Sequence, residues 1–183
     1  MQISEKKADI IQVATTLFGQ YGYHAIGIDL IIREAKVSKK TLYHHFPSKE
    51  NLIIEVLKKR DSDCFSSLSS LLSEDNPAIE KLKLIFEWHD QWFNQETFTG
   101  CLFARAAGEF PDKDEEIHRI AIKQKQQLTL TVKKVLEQIV TEEKANNIAP
   151  IVIMLLDGAT LSAQVVGNKN SAKDAWEIVQ KLI

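Results

Sequence analysis

Apolar residues in this chain recur three and four positions apart almost from end to end, and nowhere do they alternate. That spacing marks amphipathic helices and does not suit a half-buried strand. Seven Gly and four Pro in 183 residues are too few for a barrel or sandwich of many short strands. Successive stripes predict an all-α chain of about nine helices. Ile10, Val13, Ala14, Leu17, Phe18 and Tyr21 mark the first helix, which Gly22 ends. A short second helix fits Ile28 to Ala35, and Ser38 is placed to cap a third that runs to about His45. Pro47 stops that helix, and Ser48 caps a long fourth whose stripe runs from Leu52 to Leu72. The turn Glu74-Asp75-Asn76-Pro77 starts a fifth with Leu82, Ile85, Phe86, His89, Trp92 and Phe93 on neighbouring faces. A short apolar element covers Cys101 to Phe110, followed by a long charged helix from Asp112 with an acidic start suited to the helix dipole. Ile148 to Val166 is apolar on most sides, and Ser171 is expected to cap the last helix.

Composition removes several classes of function. Two cysteines, Cys64 and Cys101, cannot build a disulfide framework or a four-thiolate zinc site. The start, MQISEKKADI, carries charges where a signal peptide needs an apolar stretch. Pro150, Asp157 and small polar residues interrupt the most apolar segment, so no membrane span is expected. The chain reads as cytoplasmic. His-Glu-x-x-His, Cys-x-x-Cys and glycine-rich phosphate loops are missing, so neither catalytic residues, a metal nor a cofactor is expected.

The net charge of −2 hides an asymmetry. Residues 1–60 hold 10 Lys+Arg against 6 Asp+Glu, and the rest of the chain holds 13 against 19. A small basic module joined to a larger acidic body is the simplest reading. Within the module, Ala14, Leu17-Phe18, Gly22-Tyr23, the run Val37-Ser38-Lys39-Lys40-Thr41-Leu42-Tyr43-His44-His45-Phe46, and Ser48-Lys49-Glu50 with Leu52 stand in order at fixed distances. This string resembles the DNA-binding domain of the tetracycline-repressor (TetR) family of transcriptional regulators. Gly100-Cys101-Leu102-Phe103 followed by Glu109-Phe110 resembles a stretch found in one sub-group of that family.

The resemblance implies a helix-turn-helix domain over 1–48, its motif at about 27–46, and a ligand-binding and dimerisation helical bundle over 49–183. The second helix of such a motif enters the major groove of double-stranded DNA. Leu42 and Phe46, four apart, belong inside, which leaves Lys39, Lys40, Tyr43 and His44 outside with Thr41 at the side. Lys40 can reach guanine O6 and N7. Tyr43, Thr41 and Lys49 suit phosphates, and Lys49 adds its charge to the free amides of the fourth helix. Gly27 opens the motif as the cap of the second helix. Lys36 stands in the turn where the family usually carries Gly or Asn, a position that needs positive φ.

The body offers Trp88, His89, Trp92 and Phe93, then Cys101, Phe103 and Phe110, with His89 and Arg105 as polar contacts. Taken singly, each aromatic reads as core. The resemblance implies a cavity for a small apolar or aromatic effector among them. Gly158, Ser162, Ala163, Ala172, Ala175, Trp176 and Val179 are expected to form a two-fold interface between copies. The resulting expectation is a homodimeric repressor on a palindromic operator, released by an effector. The alternative is a DNA-binding regulator whose body holds a protein partner.

Overall fold

The computed structural model describes residues 5–72 and 75–183. Glu74 of the expected turn and the first four residues lie outside it. Among the described residues there are nine helices and no strand: α1 Glu5–Tyr21, α2 Ile28–Glu34, α3 Lys39–His45, α4 Lys49–Leu72, α5 Ala78–Phe93, α6 Leu102–Glu109, α7 Glu116–Leu136, α8 Glu142–Val165 and α9 Ser171–Val179. The fold class is all-α, as the periodicity requires.

Packing divides the chain into two units. The first contains the described residues up to Asp63 together with Cys101–Lys123; the second contains Cys64–Gly100 and Gln124–Ile183. The cut passes through α4 and α7, so these two helices each serve both cores. The boundary expected at 48/49 was set by the end of the helix-turn-helix string, whereas this division follows which apolar faces pack together.

In the first unit, Ile10, Ala14 and Phe18 of α1 meet Ile31 of α2, Leu42 of α3 and Leu52, Val56 and Leu57 of α4. Leu102, Phe103 and Ala106 of α6, with Ile117 and Ala121 of α7, complete the core. In the second, Leu82, Ile85, Phe86 and Phe93 of α5 pack with Val152, Leu156, Ala159 and Ala163 of α8 and Ala172, Ala175 and Val179 of α9.

Three helix starts differ from expectation. α8 begins at Glu142, six residues before the apolar run, because Thr141 caps it and accepts the Lys144 N–H (3.4 Å). Asn146 and Asn147 hide that first turn from a hydropathy reading, and Pro150 is carried inside the helix. At 24 residues α8 is long and apolar enough by length and composition to cross a membrane, although one face is built into the second core. α7 starts at Glu116; Asp112 instead forms a turn before it, its carboxylate accepting the Asp114 N–H (2.9 Å). The cap of α9 falls on Asn170, while Ser171 is buried and donates its hydroxyl to the Ala159 carbonyl (2.8 Å).

Candidate nucleic-acid interface

α3 is a seven-residue helix held at both ends. Ser38 accepts the Thr41 N–H at 3.0 Å and pairs with the Thr41 hydroxyl at 2.8 Å. Its C-cap Phe46 is fully buried, as is Leu42, so the inner face is pinned by two large side chains. A helix this short is marginal alone, and packing keeps it formed. The fixed inner face leaves Lys39, Lys40, Tyr43 and His44 exposed together. Thr41 is half-buried and engaged with the cap, which leaves it less free for a phosphate than its neighbours.

The turn into α3 has the expected strain. Lys36 sits at φ 52°, the one non-glycine among the described residues in the left-handed region. The Lys36 N–H donates to Arg33 O (3.2 Å) and the Val37 N–H to Ile32 O (3.1 Å), so the turn closes α2 tightly and sets the direction of α3. Gly27 caps α2 in an extended conformation with no side chain to donate to. On the far side, Ser48 Oγ accepts the Asn51 N–H (3.2 Å) and starts α4. Lys49 lies in that first turn, half-buried, its ammonium donating to the His24 carbonyl at 3.5 Å.

Three helices with a buried inner stripe and a basic, exposed third helix form a helix-turn-helix. Such a module positions itself on DNA through phosphates and reads bases from its second helix. Residues 10–56 match the family model for bacterial regulatory proteins of the tetR family. An uncharacterized HTH-type transcriptional regulator of Bacillus subtilis, YxaF, is 26% identical over 160 residues, covering 86% of this chain and 84% of its own. A TetR-family regulator from Streptomyces coelicolor, SCO4454, superposes with a TM-score of 0.93 at 26% identity, over 98% of this chain and 94% of that one. A TetR regulator from Legionella pneumophila covers both chains fully at a TM-score of 0.88 and 26% identity. The chain is similar to TetR-family transcriptional regulators, through the family model in its N-terminal DNA-binding domain and through the fold over its whole length.

The eight residues expected around one effector cavity are divided between the two units. Trp88, His89, Trp92 and Phe93 are in the second unit, where Trp92 meets Phe98 edge-on at 5.0 Å and Trp88 lies 5.9 Å from Trp92. His89 is buried, its Nδ1–H donating to the Ile85 carbonyl at 2.7 Å. Burial pushes its pKa down to about 4, so the ring is neutral near pH 7 and Nε2 remains an acceptor. Cys101, Phe103, Arg105 and Phe110 belong to the first unit. There Cys101 caps α6, Phe103 is core, Arg105 donates to the Phe18 carbonyl (3.4 Å), and Phe110 meets Tyr23 edge-on at 6.0 Å. The separation comes at Gly100, where φ is +89° and an added Cβ would lie 2.1 Å from the Gln164 amide. The positive φ is what favours glycine there.

The expected interface residues are also redistributed. Ala163, Ala172, Ala175 and Val179 are buried in the chain's own second core and offer no surface to a partner. Trp176 is half-buried against Phe86 (ring centroids 5.4 Å). Gly158 is exposed and Ser162 half-exposed, but the apolar residues beside them are Ile151, Met154, Leu161 and Val165. A helix apolar on most sides does not reveal which side the core will take, and here Ala163 went inward while Gly158 stayed outside.

Proposed function

We propose that the protein is a homodimeric repressor that binds a palindromic operator and is released by a small apolar or aromatic effector. The observation that carries the DNA part is the exposed row Lys39, Lys40, Tyr43 and His44 above a fully buried Leu42 and Phe46. Lys40 reads a guanine edge; Tyr43 and Lys49 hold phosphates. His44 and Lys39 flank the contact, and Gly27 leaves room at the start of α2.

Dimerisation is supported by the free face of α8. Ile151, Met154, Gly158, Leu161 and Val165 repeat at a spacing of three and four, and Met154 and Val165 are 64% and 71% exposed. Ile178 of α9 is exposed as well. Such a stripe is costly in water and suits a self-complementary two-fold contact, with Gly158 permitting close approach. The two modules then meet half-sites one helical turn or more apart.

For the effector, the aromatic group Trp88, Trp92, Phe93 and Phe98 around neutral His89 supplies an apolar wall with one hydrogen-bond acceptor. An effector acts only if it prefers the conformation that does not fit DNA. The test is selection of bound duplexes from a random pool, repeated with candidate ligands. A palindrome is expected without ligand and its loss with one. The same ligand should alter Trp88 and Trp92 fluorescence with a matching midpoint, because coupling is reciprocal. Recovery of no sequence preference, or DNA release without any change in tryptophan emission, would defeat the respective half of the proposal.

A further inference from the structure

The stretch Gly100–Phe110 resembles a feature of one sub-group and lies far from the helix-turn-helix in sequence, yet its α6 is built into the first unit. At the end of α6, the Glu109 carboxylate accepts two consecutive backbone N–H groups of the α1–α2 loop, Tyr23 at 3.0 Å and His24 at 2.7 Å. The His24 ring returns the contact: Nε2–H donates to the Glu109 carbonyl at 2.9 Å, and the ring lies against Phe110 at 4.7 Å. The Tyr23 hydroxyl donates to the Leu102 carbonyl at the other end of α6 (3.0 Å). Gly22, at φ +90°, is where a Cβ would come within 2.7 Å of Glu109 Oε1. The loop therefore needs glycine for its direction and for this carboxylate. His24 then accepts at its carbonyl from the Lys49 ammonium (3.5 Å).

These contacts form one chain, from Glu109 through both ends of His24 to Lys49. We propose that Glu109 is a positioning residue for DNA binding: by holding the backbone of His24 it places the Lys49 ammonium, which has two further donors to offer a phosphate. The inference rests on Lys49 being a phosphate contact, and it adds that a carboxylate outside the motif sets where that contact is made. Its sign is distinctive. Electrostatics alone would have the loss of an acidic side chain tighten binding to a polyanion; loss of a positioning group weakens it.

Binding of the full-length protein to mixed-sequence duplex DNA across a salt series separates the readings. Lys49→Ala is expected to lower the slope of log K against log salt by about one per subunit. Glu109→Ala should weaken binding and lower the slope by a similar amount, and the double variant should lose no more than Lys49→Ala alone. Glu109→Gln, which keeps one acceptor for the two N–H groups, should fall between wild type and Glu109→Ala and guards against a variant that does not fold. Tighter binding by Glu109→Gln, or weaker binding at an unchanged slope, overturns the role of Glu109 while the reading of Lys49 stands. An unchanged slope in Lys49→Ala overturns both.

Discussion

The DNA-facing surface and the second core use their side chains in opposite ways. On α3, two buried residues hold the helix and four polar ones stand exposed, all within the run Lys39 to Phe46. In the second unit the work is divided between faces of α5, α8 and α9 whose residues are far apart in sequence and chemically alike. A polar residue beside a buried apolar one declares its side; an apolar residue among apolar residues does not. This makes the first surface specific in its chemistry and the second specific only in its geometry.

A charge placed on each face of α8 in turn should act in two different ways. Met154→Glu is on the free side and should leave the fold intact while separating the dimer, so that sedimentation returns a 20.8 kDa species and operator binding is lost. Ala163→Glu is inside, 3% exposed. It should cost several kcal/mol of stability, since a charge without a partner cannot be buried cheaply. A dimeric Met154→Glu with normal operator affinity would place the interface elsewhere.

A second effect, about 3 kcal/mol, concerns the core of the second unit alone. His89 has a folded pKa of about 4 against an ordinary 6.5. Below pH 6.5 the unfolded chain takes a proton that the folded chain refuses. Stability contributed by the neutral ring is therefore complete above about 6.5, declines as the pH falls towards 4, and is lost below it. All three tryptophans lie in the second unit, so urea unfolding followed by their emission reports on it directly. His89→Leu should flatten the dependence between pH 7 and 5; an equal slope in both proteins would assign it to other groups.

At the DNA surface, Lys40→Ala should cost about 1–3 kcal/mol per contact and relax preference at one base pair of each half-site. Selection with the variant checks this, and an unaltered preference would remove Lys40 from base readout. The smallest effect is a gain. Lys36 pays for its positive φ, so Lys36→Gly should raise the stability of the module by about 1 kcal/mol in denaturant melts, less what glycine costs in the unfolded chain. Unchanged or lower stability would mean that the Lys36 side chain contributes more than its backbone loses.

Legibility followed the same division. Ser38, Gly22, Ser48, Leu42 and Phe46 were readable because caps, turns and i,i+4 pairs act within one turn of chain. The positive φ at Lys36 was readable only through the resemblance, which puts Gly or Asn at that turn. The start of α8 was obscured by two asparagines, and the cap of α9 falls one residue early, on Asn170, with the Ser171 hydroxyl turned inward to donate to the Ala159 carbonyl. Glu109 gave no local sign of its partners. Its two acceptor contacts lie 86 and 85 positions away, and an acidic residue at the end of a short helix has no signature for that.

Periodicity and caps were enough to set about nine helices, their order and the polar face of α3, since each follows from a pattern that neighbouring residues establish. The tertiary structure decided that α6 joins the DNA-binding core, that Ala163, Ala172, Ala175 and Val179 turn inward, and that the aromatics of the body separate at Gly100. Those choices depend on which apolar faces fit one another across long stretches of chain. The hydrophobic effect is non-directional: it requires burial, and only packing selects the partner.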